Sequence, residues 1–225
     1  MMARNVLISV RCITMAFLVL QIALSPMTAM ASDADPEQDF CVGLPTSTII
    51  VNGLVCKDPE TVTVSDFVFR GLATPGNTAN TATGAGSAVT PASAFQFPGL
   101  NTQGISLERL DFAGGGVVAP HTHPRASEVL IVLEGSLYVG FVSTSQKLFA
   151  ATLNIGDVFV FPRGLLHFEI NKGAGPALAI AALNSQNPGV QAQPAALFGS
   201  GIEDDVLETA FGLTAAQVDQ IKANF

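Results

Sequence analysis

The chain contains three histidines, and two of them, His121 and His123, lie one residue apart in the stretch PHTHPRASE. In an extended strand, residues two apart project to the same side, so both imidazoles can face one metal ion. Glu128 follows His123 at an odd spacing and would face the other side of an unbroken strand. We therefore predict a turn at Pro124-Arg125 that corrects this parity and lets the carboxylate join the two rings.

The third histidine, His167, ends the stretch PRGLLH, in which Pro162 and Gly164 predict a turn that resets the face it presents. Three imidazoles and one carboxylate are ligands of intermediate hardness, which suit manganese, iron, copper or zinc. The alternatives are a hydrogen-bonded polar cluster and a pair of exposed loop histidines. The predicted metal ligands, which would also be the catalytic residues of an enzyme, are His121, His123, Glu128 and His167.

The elements that must position these residues are short strands between Gly104 and Asn184, separated by Gly and Pro turns. Their spacing is typical of an antiparallel sandwich or barrel. The segments are ISLERLDF, SEVLIVLEG, SLYVGFVS, LFAATLNIGD, VFVFPRG, LLHFEINKG and ALAIAALN. Within them, EVLIVL and ALAIAAL do not alternate apolar with polar residues, which indicates strands buried on both faces. This pattern favours a closed barrel whose outside packs on something else, or an oligomer interface.

The residues after this region change to a helical period. Acidic residues open EDDVLETAF, and Thr214 with Gln217 forms a capping box at the start of TAAQVDQIKANF. Apolar residues then recur at three- and four-residue spacings, which predicts two short amphipathic helices within residues 201–225. Their apolar stripes can pack on the same subunit's barrel or on a neighbouring subunit, and the pattern does not distinguish these arrangements.

Residues 1–31 are typical of a secretory signal peptide. Arg4 and Arg11 precede an apolar run over 13–24, and Ala29-Met30-Ala31 provides the small residues of a cleavage site. A membrane anchor is the alternative, but a span needs roughly 20 apolar residues and this run is shorter. We expect a secreted, soluble mature chain that begins near Ser32.

A predicted N-terminal arm, residues 32–70, precedes a barrel assigned to residues 71–200. The arm contains Cys41 and Cys56, which we expect to form one disulfide in the oxidising compartment that a signal peptide implies. Two separately buried thiols are the alternative. A short strand is expected at Ser47 to Val51, and the Gly- and Thr-rich residues 71–93 are expected to form a long loop.

The net charge of the full chain is −8, and it becomes more negative on cleavage. Removing residues 1–31 takes away two of the ten basic residues and none of the eighteen acidic ones, which leaves −10. Such an acidic surface argues against nucleic acid and anionic membrane surfaces as partners.

Two stretches carry a family resemblance. GGGVVAPHTHPRASEVLIVLEG and GDVFVFPRGLLHFEIN resemble the two signature motifs of the cupins, and the second ends in the P-x-G-x-x-H-x-x-x-N form of plant germins. QDFCVG, VNGLVCK and LNSQNPG are also similar to the germin pattern. The resemblance covers nearly all of the chain after residue 31, and it identifies the chain as a member of the germin-like proteins.

This resemblance implies an all-β fold, a cupin jelly-roll β-barrel with short C-terminal α-helices. It implies manganese as the usual ion, with iron or zinc as alternatives, at His121, His123, Glu128 and His167. It supports the Cys41–Cys56 disulfide and implies secretion to the plant cell wall, in the apoplast. It also implies a homohexamer built as a trimer of dimers.

Two manganese-dependent activities compete within this family. Superoxide dismutation needs little beyond the metal, a proton source and a small channel, with Arg163 available to steer the anion. Oxalate oxidation needs polar groups that hold a dianion, and the two asparagines that the resemblance assigns to this task are replaced here by Glu108 and Val118. We therefore expect a dismutase that generates hydrogen peroxide in defence or development. A non-enzymatic binding or storage protein, similar to auxin-binding cupins, is the alternative.

Overall fold

The computed structural model describes residues 38–49, 53–79 and 86–225. The predicted signal peptide lies outside these residues. The described part folds as two five-stranded antiparallel sheets, in the orders β1-β2-β9-β4-β7 and β10-β3-β8-β5-β6. The strands are β1 (Ser87–Ala92), β2 (Ser106–Phe112), β3 (Val117–Thr122), β4 (Glu128–Glu134), β5 (Ser136–Val142), β6 (Leu148–Asn154), β7 (Val158–Phe161), β8 (Leu166–Ile170), β9 (Ala177–Leu183) and β10 (Gln191–Ala192).

The space between the sheets is filled by apolar side chains at alternate positions of each strand. Leu130 and Val132 of β4 face Leu137 and Val139 of β5, and all four have 0% exposure. Burying each such side chain stabilises the fold by about 1.5–3 kcal/mol relative to leaving it in water. The predicted all-β jelly-roll with short C-terminal helices is confirmed.

Strand β1 corrects the prediction that residues 71–93 form one long loop. Ser87–Ala92 pairs with β2 along its whole length, from Ser87 opposite Phe112 to Ala92 opposite Leu107. Pro91 lacks an amide hydrogen, which is tolerated because β1 is the edge strand of its sheet. Small residues bury little apolar surface, so the composition of this segment gave no strand signal. The two-residue strand β10 was not predicted either.

The outer face of the first sheet is apolar and uncovered in the single chain. The inward positions of EVLIVL and ALAIAAL are buried, as predicted, but the outward Val129 and Leu133 of β4 are 44% and 46% exposed. Val158 and Val160 of the neighbouring β7 are 58% and 54% exposed. The chain by itself therefore buries one face of this sheet and leaves the other available to a partner.

Three helices follow the strands: α1 (Gln193–Phe198), α2 (Asp204–Phe211) and α3 (Ala215–Lys222). The last two confirm the predicted pair, whereas α1 was not predicted. The capping box is present, with the Thr214 amide donating to Gln217 Oε1 at 2.9 Å and the Gln217 amide donating to Thr214 Oγ1 at 3.4 Å. Leu207 and Val218 are buried, while Phe211 is 50% exposed, so the helices cover only part of their apolar stripes within the chain.

The predicted disulfide between Cys41 and Cys56 is present and closes a loop within the arm, while Asn101 links the arm to the rest of the chain. The Asn101 side chain donates to the Leu54 carbonyl at 2.8 Å and accepts from the Leu54 amide at 3.0 Å. Residues 47–49 do not form the expected strand, and residues 50–52 lie outside the described part. The described β structure of the arm consists of isolated bridge residues, among them the pair Gly43 and Cys56.

Among the described residues, no helix has both the length and the apolar character needed to cross a membrane.

Candidate metal centre

The four predicted ligands converge in the interior of the barrel. His121 on β3 lies opposite His167 on β8 in the antiparallel register, and Glu128 is the first residue of β4 in the other sheet. The turn at Pro124-Arg125 connects β3 to β4 and corrects the parity as predicted. One ligand atom from each of the four side chains lies within 4.8 Å of the others. Their exposures range from 2% to 5%, so the cluster is shielded from bulk water.

Each imidazole is oriented by a hydrogen bond between its Nδ1 and a backbone carbonyl. Because a carbonyl oxygen only accepts, Nδ1 must carry the hydrogen, and Nε2 then presents its lone pair to the interior. This is the tautomer that binds a metal ion through Nε2. The three pairs are His121 with Ala119 at 3.0 Å, His123 with Gly189 at 2.6 Å and His167 with Leu165 at 2.7 Å.

The inward atoms face one another without a hydrogen between them. Glu128 Oε2 lies 3.1 Å from His123 Nε2 and 3.5 Å from His167 Nε2, and these three buried atoms have no hydrogen-bond partner. In the tautomer set by the carbonyls, all three are acceptors, and their lone pairs repel at this distance. A cation, either a metal ion or a proton, is required to make the arrangement favourable. The donor set therefore fits a metal ion.

The pKa values of the cluster follow from its burial and its mixed charges. Burial, together with the charges of His167 and His123, lowers the pKa of His121 to about 4, which keeps this ring neutral. Burial alone would raise the pKa of Glu128, but His123 and His167, which stabilise the carboxylate when a proton lies between it and their rings, lower this pKa to about 2. Burial opposes a charge on His123, yet its contact with Glu128 raises its pKa overall. A divalent ion binds a carboxylate and neutral imidazoles, so it would displace the proton that the raised pKa of His123 otherwise favours.

Two further carboxyl groups occupy the same interior. Glu108 on β2 is 7% exposed, and burial followed by the charge of Glu128 raises its pKa to about 7. Glu169 on β8 has 0% exposure, and neither of its carboxyl oxygens has a hydrogen-bond partner. Burial, then the charges of Glu128 and Glu108, raises the pKa of Glu169 well above its usual value. Sequence reasoning missed Glu169, although its spacing of two from His167 on one strand places both on the same face.

The remaining residues singled out from the sequence have different positions. Val118 is buried in the barrel interior at 7% exposure. Arg163 lies on the exposed turn between β7 and β8, where its backbone amide donates to Ser127 Oγ at 3.2 Å. The structure therefore brings together all four predicted ligands, whereas the proposed steering residue lies on the surface.

The fold and the buried site are those of a cupin, and the cupin family model matches residues 70–219. Germin-like protein 4-1 of Oryza sativa subsp. japonica is 54% identical over 205 residues, which cover 88% of this chain and 80% of that protein. Germin-like protein subfamily 2 member 1 of Arabidopsis thaliana is 49% identical over 214 residues, which cover 94% and 96%. The chain belongs to the germin-like proteins of the cupin family.

A solved structure of an oxalate oxidase is also similar to the chain. It superposes with a TM-score of 0.82 at 40% sequence identity, over 86% of this chain and 98% of that one. The superposition covers 86% of the chain, which is more than residues 70–219 alone would provide. The similarity therefore extends beyond the barrel. The arm and the C-terminal helices therefore belong to the shared architecture.

Proposed function

We propose that the protein is a secreted, manganese-binding superoxide dismutase of the plant cell wall. The observation that carries the proposal is the convergence of three Nε2 lone pairs, oriented by backbone carbonyls, and one carboxylate. Manganese is preferred to iron or zinc because the ligands match those that hold manganese in the germins that this sequence resembles. When bound, a manganese ion that alternates between two oxidation states supplies the electron transfer of dismutation.

The protein's own residues would bind the ion and exclude water from it. His121, His123 and His167 would donate through Nε2, while the carbonyls behind them hold the rings in place. Glu128 adds the negative charge that offsets part of the charge of the ion. The cluster is buried, and the low dielectric constant of its surroundings strengthens these electrostatic interactions. Little substrate-specific machinery is needed for a diatomic anion.

Oxalate oxidation is not proposed, despite the similar oxalate oxidase structure. Glu108 and Val118 occupy the positions where the germin resemblance places two substrate-holding asparagines, and neither side chain carries an amide. The pKa of Glu108 is raised to about 7 by burial and by Glu128, so this group gains its negative charge near neutral pH. A charged carboxylate inside the cavity repels a dianion, and Val118 offers no hydrogen bond to replace the lost donors.

Secretion is supported by the disulfide and by the composition of residues 1–31. The Cys41–Cys56 bridge requires an oxidising compartment to form and persist. The signal-like pattern at the N-terminus provides the route to such a compartment. We place the mature protein in the apoplast on these grounds.

A homohexamer, assembled as a trimer of dimers, is proposed as the working form. Support comes from the uncovered apolar face of the first sheet and from the partly covered stripes of α2 and α3. Contiguous apolar surface of this kind is rare on a monomer and marks an interface. Two separate surfaces suit an assembly that needs two kinds of contact.

The test is elemental analysis of the purified native protein, coupled to a dismutation assay on metal-replete and chelated samples. We expect activity to follow manganese content and to return when manganese is restored. Activity independent of manganese content would exclude this enzyme. Manganese bound without activity would instead favour the alternative of a binding or storage protein.

Replacing His167 tests the ligand assignment. His167→Ala removes one Nε2 donor from the cluster and is expected to lose most of the bound manganese while the barrel remains folded. Elemental analysis measures the loss, and circular dichroism confirms the fold. A variant that retains the manganese content of the wild type would show that His167 is not a ligand.

A further inference from the structure

The orientation of His123 depends on a remote part of the chain, unlike that of the other two rings. His121 and His167 bond to carbonyls only two residues earlier, that of Ala119 on β3 and that of Leu165 directly before β8. His123 bonds instead to the carbonyl of Gly189, 66 residues later, at 2.6 Å. His123 lies just after the end of β3, and its backbone carbonyl accepts from the Gly164 amide at 3.1 Å. The backbone is therefore held locally, whereas the orientation of the ring depends on the position of the Gly189 carbonyl.

Arg125 holds the segment that contains Gly189. Its Nε donates to the Asn187 carbonyl at 2.7 Å, and its backbone amide donates to the Pro188 carbonyl at 3.1 Å. Its guanidinium also lies flat against Gly189, where an added Cβ would come within 2.8 Å of Nη2 and 3.0 Å of Cζ. Arg125 thus contacts three consecutive residues, which lie at the end of the stretch LNSQNPG.

We propose that Arg125 is a positioning residue, which fixes the imidazole of His123 through the 187–189 segment and thereby sets the affinity of the site for its metal ion. The inference rests on the proposed metal site, but its geometry does not require an ion. Arg125 itself is exposed and is absent from the ligand cluster, so it acts through Gly189 and not on the ion. Losing the orienting partner of a histidine ligand typically costs ten- to a hundredfold in metal affinity.

The planar guanidinium is needed here, and a positive charge alone is insufficient. Nε lies along the stem of the side chain, so one plane both donates to Asn187 and covers Gly189. A lysine ammonium is a point charge at the end of a flexible stem and cannot do both. Gly189 must also remain glycine, because its φ is +69° and a methyl group would collide with the guanidinium.

The experiment compares Arg125→Gln, Arg125→Lys and Gly189→Ala with the wild type and with Arg70→Gln, which removes an equal charge from the exposed arm. The first readout is the imidazole N–H spectrum of the metal-free protein by nuclear magnetic resonance. We expect the Nδ1–H signal of His123 to shift or broaden in all three variants, while those of His121 and His167 stay in place. The second readout is manganese affinity by chelator competition, which should fall ten- to a hundredfold.

Each outcome separates positioning from other roles. An unchanged His123 signal in Arg125→Gln would overturn the inference. An Arg125→Lys variant identical to the wild type would also overturn it, because a positive charge alone would then suffice. Loss of all three imidazole signals would indicate general unfolding in that variant, and Gly189→Ala, which retains Arg125, then decides the question. If the wild type binds no manganese but the His123 signal still shifts, the metal proposal fails and the positioning role of Arg125 stands.

Discussion

At the scale of single residues, the unusual feature is the number of ionisable side chains buried inside the barrel. Glu108, Glu128 and Glu169 are each at most 7% exposed, and they share the interior with three imidazoles. Glu128 keeps its charge because His123 and His167 contact it, whereas the other two carboxyls lack such partners and have raised pKa values. One interior therefore contains carboxyl groups whose pKa values are shifted in opposite directions by their neighbours.

Glu108 makes the stability of the metal-free protein depend on pH. Its pKa is raised from 4.5 to about 7, so the folded state holds this proton more tightly than the unfolded state. The resulting stabilisation is fully present below about pH 4.5 and is lost as the pH rises through about 7. Glu108→Gln is therefore expected to increase the free energy of unfolding by up to about 3 kcal/mol at pH 8 and to change it little at pH 4.

Chemical denaturation of the metal-free protein at both pH values measures this effect. Glu60→Gln, which neutralises an exposed carboxylate in the arm, is the matched control and should change stability little at either pH. An equal gain for Glu108→Gln at pH 4 and pH 8 would point to packing as its cause, not to the carboxyl charge.

At the scale of elements, local sequence pattern and long-range pairing contribute unequally to the site. The HxH spacing and the turn at Pro124-Arg125 were predictable because both depend on neighbours in the chain. Strand β1 was not, because Ser87–Ala92 has small side chains and becomes a strand only by pairing with β2. The contact between His123 and Gly189 could not be predicted from local sequence either, because 66 residues separate the two partners.

The family resemblance predicted features that the hydrophobic periodicity of the sequence does not specify. The barrel topology and the joining of His167 to the other ligands depend on the pairing of β3 with β8, which no local pattern specifies. Glu169 shows the opposite case, because its alternation with His167 is a local pattern in LLHFEIN but is not part of the family's ligand motif. The resemblance identified the four ligands but did not include Glu169.

The capping box of α3 gives a prediction at this scale. Thr214→Ala removes the side-chain acceptor of the Gln217 amide and leaves a helix N-terminus without its cap. The free energy of unfolding is expected to fall by about 1 kcal/mol. Thr214→Ser keeps the hydroxyl and should retain most of the stability. Equal denaturation midpoints for the alanine and serine variants would contradict a capping role.

At the scale of the whole molecule, two surfaces of opposite character coexist. The chain carries a net charge of −8, yet the outer face of the first sheet exposes Val129, Leu133, Val158 and Val160. Charge keeps chains soluble and apart, while an apolar face favours association at one defined place. The proposed hexamer reconciles the two, because assembly covers the apolar face and leaves the acidic surface in water.

A charge placed on that face should dissociate the assembly without unfolding the subunit. Val129→Lys puts an ammonium group at an outward position of β4, between β9 and β7, where the side chain is 44% exposed in the single chain. Sedimentation velocity is expected to show a smaller species with an unchanged circular dichroism spectrum. Val64→Lys, at an arm position that is 80% exposed, is the control and should leave the assembly intact. An unaltered sedimentation coefficient for Val129→Lys would locate the interface elsewhere.

The three imidazoles are held in different ways, and this determines which residues would be needed to rebuild the site in another protein. A designer who moved it to another barrel could carry His121 and His167 as the short stretches 119–121 and 165–167, since each brings its own orienting carbonyl. His123 would arrive with its ring free to rotate unless residues 187–189 and Arg125 came with it. The transplantable unit is therefore a set of backbone fragments and one guanidinium, not four side chains.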